Sequence, residues 1–250
     1  YTAGHSSAAS DVYKRQVLPM NRIRAISLDL DDTLWAIGPV IRNAEASLRD
    51  WLTEHFPDVV AQFSTEDMLN VRRNVMAAHP AMRHDLRFIR KTVLAHVAVE
   101  SGYDAAELVE PAFDVFDRAR NTVDLFPDVV PALEILGERF TIIAVTNGNA
   151  NLDRIGIRHL FDDVVTAVDA GVAKPARPIF DAAVSAAAAE PDEILHVGDH
   201  PETDIDGARR AGLKTAWVNR TADAWPGHLE EPDAVVATIR ELRELLIEKT

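Results

Sequence analysis

The chain contains no cysteine. Disulfides, thiolate nucleophiles and cysteine-ligated metal centres are thereby excluded, and the composition suits a reducing compartment, so the cytoplasm is the expected location. No apolar run approaches the ~20 residues that a bilayer-spanning helix needs, and the first residues lack the apolar segment of a signal peptide; no membrane partner is expected. Positive charge is scarce: 26 Lys and Arg stand against 40 Asp and Glu, for a net charge of −14. So acidic a chain is repelled by nucleic acid and by anionic surfaces, which argues against both as partners. What is present is ordinary globular composition, 47% hydrophobic and 26% charged over 250 residues, enough to bury a sizeable core.

Periodicity divides the chain. Ile26, Leu28 and Leu30 alternate with small or polar residues, the pattern of a strand. From Val40 to Asn121 apolar residues recur at helical spacing, broken at His79-Pro80 and Ser101-Gly102. Then helices and short β-branched runs alternate: a helix over Val129–Leu136, strands over Thr141–Val145, Val164–Val165, Ile194–Val197 and Thr215–Val218, helices over Pro178–Ala189 and near Asp204–Ala211, and a closing helix over Ala234–Leu246. Such alternation predicts a parallel sheet wrapped by helices, with the all-helical block as an insertion. At the start, DVYKRQ (Asp11–Gln16) back-translates as a sequencing-library adapter. Residues 1–20 are therefore expected to be a disordered, non-native tail, with the chain's own start at or near Met20.

The stretch ISLDLDDTLW, Ile26 to Trp35, ends its strand in Asp29, Asp31 and Asp32. Two unit charges about 4 Å apart repel by roughly 4 kcal/mol at an effective dielectric near 20, so a positive group is expected among them. Thr146-Asn147 close the next predicted strand and Gly198-Asp199 a later one. In a parallel sheet these carboxyl ends share one edge, where ligands bind, and Lys174, in the loop GVAKPARP, supplies a cation.

With Asp29-Leu30-Asp31-Asp32-Thr33, Thr146-Asn147, Lys174-Pro175 and Gly198-Asp199 in order, and Asp204 five residues on, the chain resembles the haloacid dehalogenase-like (HAD) phosphatases from Arg22 to Leu246. The resemblance implies an α/β fold: a Rossmann-like parallel core, family strand order 5-4-1-2-3, with an inserted C1-type helical cap. Core, cap and core are expected over 21–36, 37–121 and 122–250. The texture is most similar to bacterial flavin-pathway phosphatases, which act on FMN or 5-amino-6-(5-phosphoribitylamino)uracil; LDLDDTLW, RHDLRFIR, TNGNA and EILHVGD followed by TDIDGA carry that similarity.

The resemblance implies an enzyme that hydrolyses phosphoric monoesters. Asp29 is the implied nucleophile and Asp31 the acid and base. Thr146 and Lys174 are implied to hold phosphoryl oxygens, with Asn147 adding an amide donor. Mg²⁺ is the implied cofactor, on Asp29, the main-chain carbonyl of Asp31, and Asp199; an oxygen-only donor set suits a hard ion. Thr33 is expected to order the turn and Asp204 the metal loop. Asp32 reads as a turn residue or N-cap, His200 as a surface histidine, and Trp35 as a packed aromatic. Arg83, Arg87 and Arg90 share one helical face; it reads either as a substrate-facing patch, with Arg83 and Arg87 as candidates, or as a solvated face. The expected partner is a small phosphate ester, and the chain a monomer or homodimer. Another sugar or nucleotide monophosphate is the alternative substrate. A phosphomutase would use the same core, whereas a haloacid dehalogenase has no use for an acid at position 31.

Overall fold

The structure is a computed structural model, and it describes residues 22–247; the expectation for residues 1–20 lies outside the described residues. Among the described residues six parallel strands form one sheet in the order β3-β2-β1-β4-β5-β6: β1 Ala25–Leu28, β2 Thr141–Thr146, β3 Asp163–Thr166, β4 Ile194–Gly198, β5 Lys214–Val218 and β6 Ala234–Val236. β1 is central, with Leu28 opposite Ala144 on one side and Val197 on the other. All four of its residues are buried, because helices cover both faces of a parallel sheet.

After β1 the inserted block carries the helices α1 Ile37–His55, α2 Pro57–Gln62, α3 Thr65–Ala78, α4 Leu86–Glu100 and α5 Ala105–Arg120. Their starts are written in the sequence. Ser64 and Asp67 form a reciprocal capping box on α3, Asp85 accepts from Phe88 N on α4, and Asp104 accepts from Ala106 N on α5. Leu108, Ala112, Phe113 and Phe116 fall on one face of α5 and bury against Leu48 and Leu52 of α1 and Leu94 of α4. A fully buried Leu or Phe contributes about 1.5–3 kcal/mol, so these helices hold together on an apolar cluster of their own.

The sheet has a cluster on each face. Ile26 and Leu28 pack with Leu133 and Leu136 of α6 (Val129–Gly137) and with Leu242 and Leu246. Ala25, Ile143 and Val145 meet two further helices. The short α7 Leu152–Ile155 and α8 Ala167–Ala170 precede these: α9 Arg177–Ala187, bearing Ile179, Phe180 and Ala183, and α10 Gly207–Arg210, bearing Ala208. The chain closes on α11 Ile239–Ile247. The closing segment corrects one expectation, since the helix predicted from Ala234 begins at Ile239. Ala234–Val236 instead pairs with Ala216–Val218 as an edge strand, its Val-Val dipeptide extending the sheet. Likewise, a π-helical turn over Pro201–Asp206 precedes α10.

The strand order places β2 and β3 on one side of β1 and β4 to β6 on the other. The chain reverses direction across β1, and the crevice beyond the carboxyl ends of β1 and β4 is where such sheets take ligands. Among the described residues, no helix is long and apolar enough to cross a membrane.

Candidate active site

Asp29 leaves β1 with its amide donating to Val197 O at 2.9 Å. Its carboxylate accepts from Lys174 Nζ at 2.5 Å. The same ammonium lies 2.7 Å from Asp204 Oδ1 and donates to Val145 O at 2.9 Å. Its three donors are thus all engaged, on two carboxylates and a strand-end carbonyl. Lys174 is buried, and although burial disfavours its charge, Asp204 and Asp29 outweigh that and raise its pKa. Asp204 is held well below the usual carboxylate range: burial opposes its charge, but Lys174 and His196 more than offset that.

Asp199 accepts from Thr33 Oγ1 at 3.2 Å, and its main-chain carbonyl accepts from the Trp217 indole at 2.7 Å. Burial, followed by the charges of Asp204 and Asp32, pushes its carboxyl up to about 6. Burial likewise pushes Asp29 well above the usual range, with Lys174 pulling it back and Asp204 and Asp199 raising it further. Carboxylate oxygens of Asp29, Asp199 and Asp204 lie within 4.8 Å of one another. Three carboxylates beside one ammonium leave excess negative charge in a buried crevice. That imbalance, on oxygen donors alone, fits a hard divalent cation. Asp204 serves Lys174 and the His200 amide, which donates to its Oδ2 at 3.0 Å. The carboxylates open to a cation are therefore those of Asp29 and Asp199.

Asp31 turns toward the helical insertion. Both of its oxygens accept from Arg120 Nη2 at 2.8 Å, and Oδ1 also accepts from the Trp35 indole at 3.0 Å. Burial raises its pKa while Arg120 lowers it, with a net rise. Thr146 Oγ1 accepts from Gly148 N at 2.9 Å. Gly148 is required by close approach, since a Cβ there would stand 2.7 Å from Asp31 Oδ2 and 3.3 Å from Thr146 Oγ1. Gly198 is required for the same reason, as its Cβ would meet Asp204 Cγ at 2.5 Å.

The other expected residues lie as follows. The amide of Asn147, expected at the phosphoryl group, pins the Lys174 backbone: Lys174 N donates to Asn147 Oδ1 at 2.7 Å, and Nδ2 donates to Lys174 O at 3.1 Å. Arg83 and Arg87 do not line the cavity above Asp31; Arg83 Nε donates to Met76 O at 2.9 Å, and Arg87 lies over the Phe113 ring and 3.9 Å from Asp117. Arg90 does line it, paired with Glu45 at 2.6 Å. Asp32 sits at φ 60 and accepts from Ile37 N, His200 accepts from the amides of Glu202 and Thr203, and Trp35 is buried.

Sequence reasoning missed Arg120, which reaches Asp31 from the last turn of α5, and Arg220, whose Nη2 donates to Thr33 O at 3.0 Å while pairing with Asp128. Neither sits in a motif; a basic residue at a helix end reads as a dipole partner. Only the fold brings these arginines to the motif turn.

The family model for haloacid dehalogenase-like hydrolases matches residues 23–212. The chain belongs to this family. Among curated relatives, the 5-amino-6-(5-phospho-D-ribitylamino)uracil phosphatase YigB of Escherichia coli (strain K12) is 30% identical over 80% of this chain and 85% of its own. The glyceraldehyde 3-phosphate phosphatase of Methanopyrus kandleri is 30% identical over 90% of this chain and 98% of its own. A solved structure from Pseudomonas syringae pv. Tomato DC3000, described as a 2-haloacid dehalogenase, is 37% identical with a TM-score of 0.87, over 91% of this chain and 100% of that one. The protein is thus an HAD-like hydrolase, and its curated relatives named here are phosphatases.

Proposed function

We propose that this HAD-like hydrolase is a Mg²⁺-dependent phosphomonoesterase working through an aspartyl-phosphate, with a flavin-pathway phosphate, FMN or 5-amino-6-(5-phosphoribitylamino)uracil, as its substrate. The observation that carries the hydrolytic reading is Asp31. It is a carboxyl group with a raised pKa, turned from the sheet edge toward a cavity and held by Arg120 and Trp35. Such a group can hand a proton to a leaving alkoxide; displacement of halide needs none.

The Asp29 carboxylate attacks phosphorus, forming an acyl-phosphate bond as the phosphorus–alkoxide bond breaks. Asp31 gives its proton to the departing oxygen. As base, it then takes a proton from the water that attacks the acyl-phosphate, returning Asp29 free and releasing inorganic phosphate. Lys174 favours the ionised form of Asp29 and orients it, Asn147 holds Lys174, and the Thr146 hydroxyl faces the transferring group. Asp29, Asp199 and the Asp31 carbonyl would hold Mg²⁺, which would supply neutralisation of the negative charge in the crevice. Residues 37–121 act as a cap that closes over the crevice and excludes water.

The flavin-pathway assignment is supported by the similarity to YigB. The second reading, dehalogenation, is favoured by the name of the 37% identical structure. One panel separates them: phosphate release from FMN, the ribityl-aminouracil phosphate and small sugar phosphates, with and without Mg²⁺, beside halide release from 2-chloropropionate. Mg²⁺-dependent phosphate release that vanishes in Asp29→Asn supports the phosphatase. Halide release without phosphate release overturns it.

A further inference from the structure

His196 is the only buried histidine among the described residues, and the chemistry above does not use it. It stands on β4 directly opposite Ser27 of β1, two positions before Asp29. Ser27 Oγ lies 2.8 Å from His196 Nδ1, and both side chains are buried. The Phe180 ring packs edge-on against the imidazole at 5.2 Å.

The other ring nitrogen, Nε2, has no hydrogen-bond partner among the described residues and faces Asp204 Oδ1 at 3.5 Å. That oxygen also takes Lys174 Nζ at 2.7 Å, while Oδ2 accepts from the His200 amide at 3.0 Å. A lone pair aimed at a buried carboxylate would repel it, so Nε2 carries the hydrogen. Burial, together with the Lys174 charge, lowers the pKa of the ring although Asp204 raises it. In a neutral ring with hydrogen on Nε2, Nδ1 keeps its lone pair and accepts from the Ser27 hydroxyl.

We propose that His196 is a positioning residue: Ser27 fixes its Nε2–H tautomer, and that N–H steadies Asp204 so that Lys174 is shared between Asp204 and Asp29. The proposal rests on the phosphomonoesterase reading, in which Asp29 is aimed at phosphorus, and adds to it two side chains behind the crevice. Two positive partners divide the charge on Asp204 Oδ1. Without the imidazole that charge falls to Lys174 alone, and the ammonium is drawn toward Asp204 and away from the nucleophile. The cost falls on the chemical step, because a misaimed nucleophile slows attack while the groups that bind the ester stay in place.

His196→Leu, His196→Gln and Ser27→Ala are compared with the wild type in Mg²⁺, by phosphate release from para-nitrophenyl phosphate and FMN. Nitrogen NMR of ¹⁵N-histidine-labelled protein reads the tautomer, the signal lost in His196→Gln being that of His196. The wild type is expected to show a neutral ring with hydrogen on Nε2. His196→Leu lowers kcat about tenfold and leaves KM within about twofold, the low end for losing a group that orients a site residue. His196→Gln, whose amide N–H reaches toward the same oxygen, recovers most of that loss, although both replacements forfeit the ring's packing. Ser27→Ala lets the ring populate both tautomers and lowers kcat about threefold. Hydrogen on Nδ1 in the wild type, or a charged ring, overturns the proposal. So does a His196→Gln enzyme no faster than His196→Leu. Should His196→Leu fail to fold, Ser27→Ala decides, and an unchanged kcat there overturns the proposal equally. No phosphate release by the wild type from any ester overturns the reading on which the proposal rests, and the tautomer signal tells that failure from the failure of the relay itself.

Discussion

Replacing Lys174 with methionine removes the ammonium in contact with Asp29 and Asp204, at 2.5 and 2.7 Å, and frees the Val145 carbonyl it also holds at 2.9 Å. Removing one partner of a buried ion pair costs about 3–5 kcal/mol, because the other charge is left unpaired. For a chain of this size each kcal/mol moves Tm by about 2–4 °C, so a fall of about 6–20 °C is expected. The loss has a ceiling, since stranded carboxylates take up protons rather than stay charged, at about 1.36 kcal/mol per pKa unit. The pH dependence follows with a definite sign. Asp204 is depressed in the folded protein, so its stabilisation is complete above the unfolded carboxylate value of about 3.9 and is lost as pH falls through the folded value. The gap between wild type and variant is therefore widest near neutrality and closes below about pH 4. Removing the second charge in Lys174→Met/Asp204→Asn recovers part of the stability, and the double-mutant cycle measures the coupling. Thermal and urea unfolding followed by circular dichroism, in EDTA and in Mg²⁺, supply the numbers. A Lys174→Met protein within about 3 °C of wild type at neutral pH in EDTA would refute the reasoning, since that corresponds to only about 1 kcal/mol.

Three further outcomes are expected. Gly148→Ala places a Cβ 2.7 Å from Asp31 Oδ2; it should cost about 1 kcal/mol in stability but about 10- to 100-fold in kcat, because Asp31 is pinned and must shift, and equal kcat values would contradict the role given to Asp31. Asp199, raised to about 6 from about 3.9 unfolded, opposes folding as pH climbs through that window. On the Asp199 side, Mg²⁺ binding should therefore release more protons below about pH 6 than near 8, as calorimetry in buffers of different ionisation enthalpy would show. Arg220→Met strands Asp128, which Arg220 otherwise holds at 3.1 Å together with the Ile239 amide at 2.7 Å, and also frees the Thr33 carbonyl; a loss of about 2–4 kcal/mol in urea unfolding is expected, and an unchanged midpoint would argue against that clamp.

The acidic crevice was legible because its residues are tied to strand ends. Asp29 follows a run that buries on both faces, Thr146 ends β2, and Gly198-Asp199 end β4. Helix caps such as Ser64 and Asp85 were equally local. Ala234–Val236 was not, since three apolar residues ahead of a helix read as its first turn until β5 is there to pair with them. Asn147 lies at the expected edge, and its amide bonds a backbone 27 positions away, a partner that no spacing rule reports.

Order and chemical type along the chain determined which groups gather at the crevice, because a parallel sheet delivers every strand's carboxyl end to one side. The choice of partner for each group belonged to the tertiary structure. Arg120, 89 positions from Asp31, and Arg220, 187 from Thr33, act only where distant segments pack. Contacts across such separations follow from how whole helices and strands bury their apolar faces, and a residue's own neighbours in sequence carry no record of it.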